Sequence, residues 1–301
     1  DLMQKVIAAK DSLSVHLEPH FSYQKYEKMT FALNEFTETV FQDDHFKHFP
    51  YLKEHVEQHP ETGKLILPLT VDEQVSINYV RREPHFLRTH IHGQRSEGIT
   101  QLINTGDILT GMLADCFTDV DIYQNQVRLL QYPFTSPISS SGAINFYRYF
   151  ITDTLQLDSQ MCYKVEFTPN NPQDFGFSGA LFITADSTWR VHRAEIGIPS
   201  RSDVNFVEHM HIVQQFQTLS NGRQALCRNS MRVQLKLASH VQKFQVERVS
   251  DFSRWDFSPI PENILSQRSE RMTDPSSHMR SDAFWSHYRS TPLTQTENSM
   301  G

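Results

Sequence analysis

The stretch Asn145–Ile198, NFYRYFITDTLQLDSQMCYKVEFTPNNPQDFGFSGALFITADSTWRVHRAEIGI, decides the fold. In Cys162–Phe167 the apolar Tyr163, Val165 and Phe167 alternate with Cys162, Lys164 and Glu166, a period of two that turns one face to a core and one to water. The period recurs in Phe177–Thr184, where Phe177, Gly179, Leu181 and Ile183 oppose Ser178, Ala180, Phe182 and Thr184 and the second face carries an aromatic of its own. Asp158-Ser159, Asn170-Asn171-Pro172 and Ala185-Asp186-Ser187 supply turn chemistry, because Asp, Asn and Ser bond their own backbone and Pro cannot extend a ladder. The stretch therefore predicts four consecutive antiparallel strands.

Upstream, Asp1 caps an expected short helix with Leu2, Met3, Val6, Ile7 and Leu13 at three- and four-residue spacing. From His20 to Phe36 the residues Phe21, Tyr23, Met29, Phe31 and Leu33 share one parity. Lys25 and Glu27 interrupt it, which reads as a long strand that leaves the core partway. Residues 37–63 are polar and read as a loop with a short helix. Lys64–Gly93 resumes strand character, with Pro68 and Pro84 marking edges or breaks. Ile99–Phe117 has the pattern of a buried helix or helix pair, Ile122–Leu130 that of a short strand, and Tyr132–Pro137 that of a rigid connector. Downstream, Phe206–Phe216, the Asn221-Gly222 turn and the strict alternation over Met231–Leu237 predict a hairpin, and Phe244–Val249 adds a strand. Beyond Pro259 the pattern stops. Arg271–Asp282 reads as a linker, followed by Phe284, Trp285 and Tyr288 at helical spacing.

The expected architecture is mainly β with a few helices (α+β). A strongly curved antiparallel sheet of roughly nine to eleven strands closes partway into a half-open barrel, with helices across its open side. Residues 1–260 form this domain, and 261–301 are expected to be a linker and short helix.

Composition narrows the functional classes. The chain has 301 residues, 21% charged and 38% hydrophobic, and no apolar run approaches the ~20 residues that a membrane helix needs. A net charge of −7 argues against a phosphate-neutralising surface, so nucleic acid is not an expected partner. Cys116, Cys162 and Cys227 are odd in number and widely spaced without a CxxC, which allows at most one disulfide and otherwise reads as three buried thiols.

Four stretches carry a family resemblance: YRYFITDTLQLDSQMCYKVEFTPNNPQDFGFSGALFITADS, LILPLTVDEQVSINYVRREP, SPISSSGAINFYRYF and FWSHYRSTPLT. Together they resemble the middle domain of a functionally uncharacterised family of outer-membrane proteins from Gram-negative bacteria. In that family a secretion signal and a carboxypeptidase-regulatory-like β-sandwich precede a domain similar to the periplasmic lipoprotein carrier, and a membrane β-barrel follows. The resemblance implies an exported domain on the periplasmic side of the outer membrane, covalently attached to a barrel beyond Gly301. It implies a lipid or lipoprotein as the partner and brings no catalytic residues with it.

Motifs for catalysis fail on spacing. His55-Val56-Glu57-Gln58-His59 is not HExxH, Gly176-Phe177-Ser178-Gly179 sits inside a strand rather than at a nucleophile elbow, and Asp43-Asp44 and Asp72-Glu73 are adjacent, so their side chains diverge on a strand. His90 and His92, and likewise His209 and His211, share a strand face, but no third ligand is evident in the sequence. No enzyme activity, cofactor or metal is expected. The functional expectation is a binding module with an apolar cavity on the concave side of the sheet, lined by Tyr147, Tyr149, Tyr163, Phe167, Leu181 and Phe216, with Leu109 and Met112 opposite. The competing reading is a structural adaptor that presents partners to the attached barrel, with a solid interior; a third, a hydrolase, needs a convergent polar site that the sequence does not show.

Overall fold

The computed structural model describes residues 1–34, 42, 50–98, 119–129, 132–198, 207–236 and 243–300. The helix expected at Ile99–Phe117, with Leu109 and Met112, lies outside the described residues, as does Cys116. One sheet of twelve strands dominates: β1 (His20–Asn34), β2 (Glu57–Gln58), β3 (Leu65–Arg81), β4 (Phe86–Gly98), β7 (Tyr147–Leu157), β8 (Gln160–Pro169), β9 (Ser178–Thr184), β10 (Val191–Ile198), β11 (Val207–Thr218), β12 (Gln224–Lys236), β13 (Lys243–Asp256) and β14 (Arg271–Thr273). Their order is β14-β4-β3-β1-β13-β12-β11-β10-β9-β8-β7, with β2 beside β3; all pairs are antiparallel except β14 with β4. The ends of this order do not meet among the described residues, so the curved sheet stays open as a half-barrel.

The expected meander is β7 to β10. Asp158 and Ser159 join β7 to β8 with φ of 51° and 66°, the double left-handed turn whose twist suits a tight hairpin. Across β8 and β9, Tyr163 opposes Ile183 and Val165 opposes Leu181 on the inner face. The extra aromatic Phe182 lies on the other face, where it forms a small cluster with Cys162, Ala180, Leu155 and Leu157. That cluster, rather than a second large core, accounts for apolar residues on both parities.

The inner face of β7–β13 is filled by two elements. Helix α1 (Leu2–Leu13), capped by the Asp1 carboxylate accepting from the Met3 amide at 3.1 Å, contributes Met3, Val6 and Ile7. The hairpin of β5 (Gln126–Leu129) and β6 (Tyr132–Thr135) adds Val127, Leu129 and Phe134, preceded by Val120, Ile122 and Tyr123. Tyr132–Pro137 is thus not only a connector: its first four residues are a strand, because Pro133 sits opposite Arg128 in a two-stranded pair and, among the described residues, has no strand on its other side to which it must donate.

Strand β3 reverses a sequence expectation. Pro68 does not break β3. It pairs with Ala32, while Thr70 pairs with Phe31, leaving Leu69 as an extra residue on β3. This bulge shifts the side-chain parity by one. Leu67 and Leu69 face the core before it, and Thr70, Asp72, Gln74, Ser76 and Asn78 face inward after it. Lys25 and Glu27 of β1, opposite Ser76 and Gln74, stay on the inward parity but face a polar cavity instead of the apolar core, so β1 leaves that core partway.

The displaced apolar parity needs cover on the outer face, and the C-terminal segment supplies it. Trp285 of helix α4 (Asp282–Tyr288; α2 is Ala143–Phe146 and α3 Glu262–Leu265) is 4% exposed and packs on Tyr26 and Val75. Gly93 of β4 is where Phe284 lands: a Cβ there would stand 2.5 Å from the ring. Arg289 forks both Glu73 oxygens at 2.6 Å, and the Tyr26 hydroxyl donates to the same carboxylate. In helix α5 (Gln295–Asn298) the buried Glu297 closes a capping box with Thr294 and accepts from Lys28 at 2.6 Å. The segment read as a linker is therefore docked, with Arg271–Thr273 adding a strand to β4. Trp285→Ala is expected to lower stability to chemical denaturation by about 3 kcal/mol, the usual loss for a buried indole; an unchanged midpoint would mean that the segment is only loosely attached.

Candidate functional site

The parity shift in β3 produces a cavity of about 630 Å³ on the inner side of β1, β3 and β4. Its floor comes from Tyr23, Lys25, Glu27 and Met29 of β1 and from Asp72, Gln74, Ser76 and Asn78 of β3; Thr89 and Ser96 of β4 form one wall and Asp119 the other. Arg271 and His278 of the C-terminal segment stand at the rim. Because β1, β3 and β4 are rigidly paired, these side chains project from a fixed backbone, which is the arrangement that orients a ligand rather than adapts to it.

The residues expected from the sequence to line an apolar cavity lie elsewhere. Tyr147, Phe167, Leu181 and Phe216 belong to the main core, and Leu181 is fully buried. The Tyr147 hydroxyl accepts from the Phe177 amide at 3.0 Å, and that of half-buried Tyr149 donates to the carbonyls of Pro137 at 2.8 Å and Ala143 at 3.1 Å. Tyr163 is half-buried opposite Ile183. None of these six lines the groove. The groove residues were missed although the signal was present: Thr70, Asp72, Gln74, Ser76 and Asn78 alternate with Val71, Glu73, Val75, Ile77 and Tyr79, a set apolar but for Glu73, and only the bulge decides which set points inward.

The reasoning against a metal also changes. His209 and His211 gain no third ligand among the described residues, but His90 and His92 meet the Asp274 carboxylate, brought to them by the docked C-terminal segment.

Residues 2–253 match the model of a family described as a family of unknown function, DUF5686. The chain belongs to this family. No curated protein matches its sequence. Among solved structures, a DUF1329 family protein from Desulfovibrio piger is similar at 11% identity and TM-score 0.33, covering 88% of this chain and 96% of the other. A LolA superfamily protein from Nitrosomonas europaea is similar at 10% identity and TM-score 0.29, over 88% and 97% of the two chains. A putative outer membrane lipoprotein-sorting protein domain from Vibrio parahaemolyticus is similar at 8% identity and TM-score 0.29, over 88% and 95%. No helix among the described residues of this DUF5686 chain is long and apolar enough to cross a membrane.

The electrostatics of the groove in this DUF5686 member centre on Asp119. Lys25 Nζ stands 2.6 Å from Asp119 and 2.8 Å from Glu27, and Arg248, whose side chain is 1% exposed, reaches Asp119 at 3.3 Å. Burial alone would raise the Asp119 pKa, but Lys25 and Arg248 outweigh it and hold the carboxyl below its ordinary value. Burial opposes the charge on Lys25 too, yet Asp119 and then Glu27 keep the ammonium above its usual range. Burial pushes the Tyr23 hydroxyl up to about 12, so it enters the groove as a neutral phenol. Asp72 has no such cation: burial raises its pKa, only partly offset by a hydrogen bond with Ser96. A carboxylate held this way gains most from a cationic ligand.

The two acids have opposite linkage. Asp119, depressed in the fold, adds stability above the ordinary carboxylate pKa that is lost as pH falls through its folded value. Asp72, raised in the fold, subtracts stability as pH climbs from the ordinary value through its folded one. Asp119→Asn should therefore lose about 2 kcal/mol at pH 7, less than for a fully buried ion because Asp119 keeps 29% side-chain exposure, with a flatter acid limb of the stability curve. Asp72→Asn should raise the thermal midpoint at pH 7 and leave it unchanged near pH 3. Equal responses of the two variants would contradict this assignment.

Proposed function

We propose that this chain is a non-catalytic, periplasm-facing binding domain of an outer-membrane protein, whose ligand is an amphiphile, a lipid or the lipid-bearing end of a lipoprotein, with its headgroup in the β1–β3–β4 groove. One observation carries the reading: beside β1, β3 and β4 the inner face opens into a charged cavity that the carboxylate of Asp72, with no cation against it, shares with the guanidinium of Arg271 at the rim. That pairing suits a zwitterionic headgroup, which presents an anion and an amine a few ångströms apart. Tyr23 and Met29 give apolar surface for the first part of an acyl chain. The sequence resemblance supports the cellular setting: in the family it points to, a membrane barrel follows this domain, and such an arrangement would bring the groove near the outer membrane.

A second reading, a structural adaptor without a small-molecule ligand, is favoured by the solid packing of Tyr147, Phe167, Leu181 and Phe216. The two readings separate in a direct assay. A fluorescent lysophosphatidylethanolamine is expected to bind the chain and be displaced by unlabelled lipid, and Asp72→Lys, which reverses the charge facing the amine, should abolish binding while keeping the fold. Leu181→Trp should instead overpack the core and reduce stability by about 1–3 kcal/mol, without a selective loss of binding. Failure of every zwitterionic and anionic amphiphile to bind would leave the adaptor.

A further inference from the structure

The polar groove is not the only place where reactive groups converge. On the outer face of β4, the pairing of Val75 with Gly93 and of Ser76 with Ile91 leaves His92 as an extra residue, so β4 carries a bulge there. The bulge lets the His90 and His92 rings stack, with centroids 4.3 Å apart and planes at 27°. Asp274, the first residue after β14, reaches both: His90 Nε2 lies 2.7 Å from Oδ1, and His92 Nδ1 lies 2.9 Å from Oδ2. One ligand atom from each of the three residues can be chosen so that all lie within 4.8 Å of one another. Neighbouring ligands on one ion with bonds of about 2.0–2.1 Å are separated by about 2.9–3.4 Å at octahedral or tetrahedral angles, so the three atoms would draw together from separations of at most 4.8 Å to seat an ion here.

From this geometry we infer that His90, His92 and Asp274 form a binding site for a divalent first-row transition ion, zinc or one of its neighbours, which fastens the C-terminal segment to the edge of the sheet. Two imidazoles and one carboxylate favour zinc, copper or nickel over magnesium or calcium, which prefer oxygen ligands. The side chains are 20%, 34% and 26% exposed, so an ion can enter, and water can complete its coordination. Arg280 sits beside the site, donating to Asp274 Oδ2 at 3.1 Å and to the His92 carbonyl at 2.7 Å. It neutralises the carboxylate before metal arrives and therefore limits affinity, which suits an exchangeable ion rather than one locked in during folding. The role is mechanical. The ion would join β4 to a residue 184 positions away, in the same segment that supplies Arg271 and His278 to the groove rim.

The test uses the full chain, free of any histidine tag and stripped of metal. Calorimetric titration with zinc should show one ion per chain, cobalt should give a visible d–d spectrum with nitrogen ligands, and zinc should raise the thermal midpoint by roughly 5 °C at saturation. His90→Gln keeps a donor facing Asp274, so it should preserve the metal-free midpoint yet remove the zinc response; His92→Gln should do the same, and His209→Gln should change nothing. The inference is overturned if wild type takes up no stoichiometric ion, or if uptake persists in the His90→Gln, His92→Gln double variant, which would assign it to other histidines. A lower metal-free midpoint in these variants with no zinc response in wild type would leave a hydrogen-bonded clamp only, and overturns it as well. None of these outcomes depends on whether the groove binds an amphiphile.

Discussion

A single extra residue, Leu69, governs the arrangement of this domain. Side chains on a strand alternate strictly, so one unpaired residue in β3 exchanges the faces of everything after it. Before the bulge, Leu67 and Leu69 seal the main core; after it, Asp72, Gln74, Ser76 and Asn78 line a groove, and Val75 is sent to the outside. Gly98, with φ of 111°, lies against the bulge, where a Cβ would stand 2.1 Å from the Leu69 carbonyl oxygen, so β4 tolerates no side chain at that crossing.

The docked C-terminal segment is the structural complement of that exchange. An apolar stripe of Tyr26 and Val75 on an outer face would be unfavourable in water, and Trp285 covers it. Burying Trp285 also buries Glu73, whose side chain is 0% exposed and whose two oxygens are both taken up by Arg289, one of them also by Tyr26. Core, groove and C-terminal clamp are thus three consequences of one register, and a change at the bulge would be felt in all of them.

The half-barrel is asymmetric in what it offers a ligand. On the β7–β12 side, α1 and the β5–β6 hairpin occupy the concavity and leave a solid apolar interior. On the β1–β3–β4 side the concavity stays open and charged, with Asp119 balancing Lys25 and Arg248 at the boundary between the two. Polar contacts there can orient a headgroup, while the packed side fixes the shape of the sheet that presents them.

Much of this fold was legible in the residues themselves. The alternation in Cys162–Phe167 and Met231–Leu237, the Asp158-Ser159 and Asn221-Gly222 turns and the Asp1 cap are local signals, and each strand or helix they announce is present among the described residues. What the sequence could not determine depended on partners far along the chain. Pro68 resembled a break because its isolated neighbourhood does not reveal that β1 pairs through it, and Lys25 marked an exit from the apolar core without showing that Asp119, 94 residues on, would meet it in a groove. His90 and His92 lacked a third group for the same reason, since Asp274 approaches only when the C-terminal segment docks on β4. Periodicity is a property of a few neighbouring residues and survives in one dimension; the choice of face after a bulge, and the meeting of charges across a sheet, are decided only when the strands are in register.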